Sequence, residues 1–182
     1  MFASTRSRIV ACAALIALGA VACTDTTVEP KSTVTEANIF RDPNAYTQFI
    51  AKIYGGLALT GQIGPTNAGD IGGLDEGFAQ YLRVYWQLQQ LPTDETVVAW
   101  GDPGLPEMNT GQWVSSNVWV YAMYSRIYFQ AGMVNEFLRQ TSDARLTERG
   151  VTAALHATIQ TYRAEARFLR ALSYWQDRKS VV

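Results

Sequence analysis

TAALHATIQTYRAEARFLRALSYWQ (residues 152–176) is the stretch whose reading decides the fold. Leu155, Ile159, Tyr162, Ala166 and Leu169 recur at helical spacing and line one face, which Phe168 and Leu172 widen. An apolar arc of that width needs packing partners on more than one side. On the same helix Glu165 and Arg167 read as scaffold residues, with an ion pair as their default, and His156 reads as exposed.

Working outward, residues 141–150 are polar, with room for one helical turn. Before them a helix is predicted from 115–117 to about 140, with Val120, Tyr124, Ile127, Ala131, Val134 and Leu138 as its buried stripe and Trp119 as a packing residue. Near the start, Asp42 is a good N-cap and Pro43 suits a first helical position. Tyr46, Phe49, Ile50, Ile53 and Leu57 form one stripe there, and Gly55-Gly56 should stop the helix before Thr60. A shorter helix is predicted within 78–90, with Phe78, Leu82, Tyr85 or Trp86, and Gln89 on one face; Pro92 ends it. Thr93 offers a cap for a short segment through Ala99, and residues 101–111 are a dense turn cluster. No alternating run is long enough for a strand, so the fold class is mainly α with long loops.

The irregular part, DIGGLDEGFAQYLRVYWQLQQLPTDETVVAWGDPGLP (70–106), is bracketed by glycine and proline and dense in aromatics. Its aromatic content argues against disorder, and a long segment with weak periodicity is commonly functional. The glycine-rich run at 61–73 lacks the Gly-Lys-Ser/Thr ending of a phosphate-binding loop, and no strand precedes it.

The chain has 182 residues, 48% hydrophobic and 17% charged, with a net charge of -1. No basic cluster lies outside the N-terminus, which removes the electrostatic case for nucleic acid. The single histidine cannot assemble a His-rich metal site, and no cofactor or metal is expected. Arg6 and Arg8 precede an apolar run at 9–21, shorter than the roughly 20 residues a spanning helix needs. Residues 1–22 therefore read as a secretory leader. Cys23 follows Ala20-Val21-Ala22 and resembles the lipobox of bacterial lipoproteins, whose cysteine becomes the lipidated N-terminus. An ordinary leader cleaved near Ala22 is the alternative. Residues 23–41 read as a tether, 42–176 as the folded part and 177–182 as a sequence artefact at the end of a truncated gene.

Several segments together resemble the SusD/RagB family of outer-membrane nutrient-binding lipoproteins. They are Cys23, IYGG (53–56), DEGFAQYLRVYWQLQQLPTDE (75–95), AWGDPGLP (99–106), VNEFLR (134–139) and YRAEARFLRALSYW (162–175). Family members are considerably longer, so the chain reads as an N-terminal part. The resemblance implies tetratricopeptide-like helix pairs with loops forming a glycan-binding face. It also implies a SusC-like TonB-dependent transporter as partner and a lipid-anchored place on the cell outer membrane. Members bind oligosaccharides, or in some branches peptides, without cleaving them.

A sugar ring offers an apolar C–H face and a rim of hydroxyls. It calls for a flat aromatic platform beside forked polar groups. Trp86, Trp100 and Trp113, with Tyr81, Arg83, Asp75 and Asp102, are the candidates, because they lie in or beside irregular segments. The competing reading for each tryptophan is core packing. Asp75-Glu76 and Asp94-Glu95 raise a two-carboxylate glycosidase, which needs carboxyls about 5 Å apart or somewhat further. No spacing brings one from each pair together, and no nucleophile motif supports catalysis. A structural helical-repeat lipoprotein mediating protein contacts is the alternative to ligand capture.

Overall fold

A helix of 23 residues, α5 (Val118–Gln140), is the axis on which the helices of residues 44–55, 81–90 and 153–180 pack. The computed structural model describes residues 35–61 and 69–180. In chain order its helices are α1 (Glu36–Ile39), α2 (Asn44–Gly55), α3 (Tyr81–Gln90), α4 (Pro106–Thr110), α5, α6 (Asp143–Glu148) and α7 (Ala153–Ser180). Among the described residues there is no strand, so the mainly α reading holds. The chain divides into two units, Met1–Ile39 and Phe40–Val182. In the first, α1 is a single turn within the stretch read as a tether, and the Thr35 main-chain N–H donates to Asn38 Oδ1 at 2.8 Å. The leader and Cys23 lie outside the described residues.

In the second unit, α2 starts one residue later than its proline suggests. Asp42 Oδ1 accepts the Asn44 main-chain N–H at 2.9 Å, and Pro43 stands just outside the helix. Tyr46, Ile50 and Ile53 are buried as the stripe requires; Phe49 and Leu57 are half-buried. The helix stops at Gly55. A side chain at Gly56 would place its Cβ 2.6 Å from Gln130 Oε1 and 3.0 Å from Met133 Cε. This close approach lets Gln130 Nε2 donate to the Ile53 carbonyl at 2.7 Å, satisfying an otherwise orphaned group of the last turn.

Helices α5 and α7 run antiparallel: Leu138 lies beside Arg163, Asn135 beside Arg170 and Tyr128 beside Asp177. Ile159, Ala166 and Leu169 of α7 are buried, as the spacing predicts, and Ala166 and Leu169 join Ile50, Ile53, Val134 and Phe137 in one core. The α7 helix extends past Gln176 to Ser180. Phe168 and Trp175, at 66% and 51% exposure, occupy its outer face. Glu165 accepts the Tyr54 hydroxyl at 3.1 Å in place of the expected ion pair. His156 is half-buried, with Nε2 3.2 Å from Asp143 Oδ1.

Three expectations are corrected. First, α3 begins at Tyr81, and it buries Tyr81, Val84 and Gln87 while Leu82 and Trp86 face solvent. Phe78 belongs to the preceding loop and packs on Trp119, so it cannot set the helix register. Second, Tyr124 is 55% exposed, because α5 buries Trp119, Ala122, Met123 and Arg126 instead. Third, residues 93–99 form no helix. Thr93 Oγ1 donates to the Gln90 carbonyl at 2.6 Å, a turn closing α3, and Asn109 Nδ2 donates to the carbonyls of Leu91 and Thr96.

The C-terminal end of α5 is closed by two cations. Arg163 donates to the Leu138 carbonyl at 2.8 Å, and Arg149 donates to the Gln140 carbonyl at 2.7 Å. Both satisfy helix-end carbonyls and complement the negative end of the dipole. Arg149 also lies over the Phe40 ring, 4.4 Å from its centroid.

The Gly56 contact is testable. Gly56→Ala should lower the unfolding free energy by about 1–3 kcal/mol, since Gln130 must yield its bond to Ile53. Urea denaturation with an unchanged midpoint would show that the close approach is not required.

Candidate functional site

Residues 69–80 follow an irregular path that is held at many points. The Asp70 N–H donates to the Thr60 carbonyl at 2.7 Å, and Thr60 Oγ1 donates to the Glu76 carbonyl at 2.6 Å. From α5, Arg126 Nε donates to the Ala79 carbonyl and its NH1 to Asp70 Oδ1, each at 2.6 Å. Leu74 and Ala79 enter a core with Tyr81, Val84, Ala122, Met123 and Ile127. An irregular segment with its main chain satisfied in this way presents fixed side chains.

Gly77 is the hub of what it presents. Asp75 Oδ1 accepts the Gly77 N–H at 2.7 Å, and Arg83 NH1 and Gln80 Nε2 donate to the Gly77 carbonyl at 3.0 and 3.1 Å. The structure thus brings together two of the sequence candidates, Asp75 and Arg83, around one exposed residue. A carboxylate held on the N–H of Gly77 and a guanidinium held on its carbonyl offer an acceptor and a donor that ligand hydroxyls can use.

The second segment, 99–117, irregular but for the short α4, is tied to the start of α5. Asn117 is its N-cap: Oδ1 accepts the N–H groups of Trp119 and Val120 at 2.9 and 3.4 Å. The other side of the same amide donates to the Gly104 carbonyl at 2.9 Å, and Trp119 Nε1 donates to the Pro103 carbonyl at 3.1 Å. Gly104 has φ of 90°, and a Cβ there would lie 2.8 Å from Asn117 Nδ2, so only glycine fits. Phe78 and Trp119, with ring centroids 4.4 Å apart, join the two segments.

Trp86, Trp100 and Trp113 are all exposed, at 49%, 55% and 43%. No ring contact joins them to one another. Trp113 lines a cleft of about 420 Å³ with Pro103, Gly104, Glu107, Gln112 and Asn117. Asp102 is exposed in the turn above α4, its carbonyl accepting the Leu105 N–H. Tyr81 departs from the expected site: it is 1% exposed, and its hydroxyl donates to Gln176 Oε1 in the interior. Burial raises its pKa above the usual tyrosine value.

A tyrosine-walled cleft was missed by sequence reasoning. It has a volume of about 250 Å³ and is lined by Leu88, Tyr121, Met123, Tyr124, Ile127 and Asp177. Tyr124 and Tyr128 pack at 4.6 Å between centroids, and the Asp177 carboxylate raises the Tyr128 pKa. The signal was the spacing of Tyr121, Tyr124 and Tyr128 on one helix face, masked by counting tyrosine as a core residue.

Among the described residues no group of three or more His, Cys, Asp or Glu is placed to hold a metal ion, and no helix there is long and apolar enough to cross a membrane. No protein-family model matches the chain. Over 125 residues, 68% of its length, the chain is 36% identical to the starch-binding protein SusD of Bacteroides thetaiotaomicron. The chain spans 21% of that protein's length.

The different placements of Tyr81 and Trp100 predict different thermal behaviour. Tyr81→Phe should cost about 1 kcal/mol by stranding Gln176, whereas Trp100→Ala should stay within about 0.5 kcal/mol of the parent. Equal melting temperatures for Tyr81→Phe and the parent would contradict the interior role.

Proposed function

We propose that this chain captures oligosaccharides as part of a SusD-like, surface-exposed lipoprotein and does not cleave them. The observation that carries this reading is the 36% identity to a starch-binding protein across the segments that hold the exposed aromatic and polar candidates. Asp75 and Arg83 supply the forked hydrogen bonds that ring hydroxyls take. Trp86, Trp100 and Trp113 supply flat apolar surface at little entropic cost, since each aromatic side chain has few torsions to freeze. Cys23 is the proposed lipid attachment point at the outer membrane, with the polar residues Thr24 to Thr35 as the tether. A SusC-like TonB-dependent transporter is the proposed recipient of the glycan.

A second reading, a helical-repeat lipoprotein that contacts other proteins, draws on the outer face of α7. There Phe168 and Trp175, two turns apart on one face of the helix, are both exposed. Large apolar groups exposed in one region mark interaction surfaces. Ligand capture accounts in addition for the polar pair at Gly77, and is preferred.

Titration calorimetry of the chain against maltoheptaose and a panel of other oligosaccharides tests the proposal. Binding to at least one glycan is expected, weakened about tenfold or more by Trp100→Ala or Asp75→Ala, a loss typical of one stacking or charge-assisted contact. A folded chain that binds no member of the panel would refute it.

A further inference from the structure

We infer that Arg126 is a positioning residue, which holds Asp75 and Arg83 in register for ligand from beneath the surface; this rests on the glycan-binding reading. Arg126 is 2% exposed and lies on α5, far inside the face that a ligand meets. Its guanidinium reaches both ends of one irregular segment, Asp70 through NH1 and Ala79 through Nε. Asp75 and Gly77 lie between those two anchors.

A single planar group bonded through two different nitrogens fixes orientation as well as distance. Asp70 closes the same segment from its other side through the Thr60 carbonyl, and the Ala79 N–H donates to the Asp75 carbonyl at 3.1 Å. Movement of Ala79 is therefore transmitted directly to Asp75 and, through Gly77, to Arg83. A buried cation is a poor choice for stability alone, because its desolvation offsets most of the attraction to its partner. An apolar side chain on α5 would fill the same volume but would anchor neither end of the segment.

The experiment combines binding and amide exchange on the full chain, with maltoheptaose or the best-bound glycan of the panel as probe. Arg126→Met should weaken binding about tenfold and speed amide exchange in residues 70–80, while α7 amides keep their protection. In an Asp75→Ala background the same substitution should cost clearly less affinity than in the parent, because much of its effect passes through that residue. Arg126→Lys should recover part of the loss, since it keeps a cation beside Asp70. If Arg126→Met does not fold, Asp70→Ala, at a side chain 23% exposed, replaces it and should show the same local loosening and the same non-additivity. A loss that is fully additive with Asp75→Ala would overturn the positioning role. Unchanged exchange in 70–80 would overturn it whatever the ligand. A parent chain that binds no glycan, with exchange in 70–80 still raised by the variant, refutes the binding reading and with it the role in ligand register.

Discussion

The bonds from Arg126 to Ala79 and Asp70 are one instance of a constraint that recurs along the second unit: α5 and its N-cap hold neighbouring chain through polar side chains that reach main-chain carbonyls. Asn117 takes the Gly104 carbonyl, Arg126 that of Ala79, and Gln130 that of Ile53. Each donor is buried, so an unmade bond would leave a desolvated polar group at a cost of about 1–3 kcal/mol. This makes the positions of three separate segments interdependent with one rigid helix. The apolar core around Val134 and Phe137 supplies the adhesion, and these bonds supply the register.

That arrangement accounts for how a chain with long loops can display a fixed surface. The segments 69–80 and 99–117 carry Asp75, Trp100, Asp102 and Trp113, with Arg83 and Trp86 on α3 between them, and both segments are held on α5 at Trp119, through Phe78 and through the Pro103 carbonyl. Binding sites favour rigidly supported loops, since a preorganised group loses less entropy when ligand arrives. Glycines stand where the clamp is tightest: Gly56 against Gln130 and Gly104 against Asn117. Those contacts give a physical reason for Gly56 in IYGG and for Gly104 in AWGDPGLP.

Much of the scaffold was legible in the residues. The α7 stripe appears where helical spacing puts it, Asn117 caps α5 where the polar run at 115–117 suggested, and Gly55 ends α2. The failures share one cause. Hydrophobic periodicity cannot see buried polar residues, so Arg126, Gln130 and Gln87 were invisible as core, and exposed Tyr124 and Trp86 took their places in the expected stripes. Thr93 Oγ1 accepts the Glu95 N–H at 3.3 Å as a cap would, yet no helix follows, and Asn109 holds the carbonyls of Leu91 and Thr96 instead. For the site, Asp75 and Arg83 were legible as residue types. Their convergence on Gly77 was not, since it depends on two hydrogen bonds that no spacing rule encodes.

The most direct test is an amide-exchange footprint of the chain with and without bound oligosaccharide. Protection centred on residues 74–83 and 99–117, with α7 unaffected, is the expected result. Protection confined to the outer face of α7 around Phe168 and Trp175, or none in either irregular segment, would contradict the claim that the segments clamped to α5 form the ligand-facing surface.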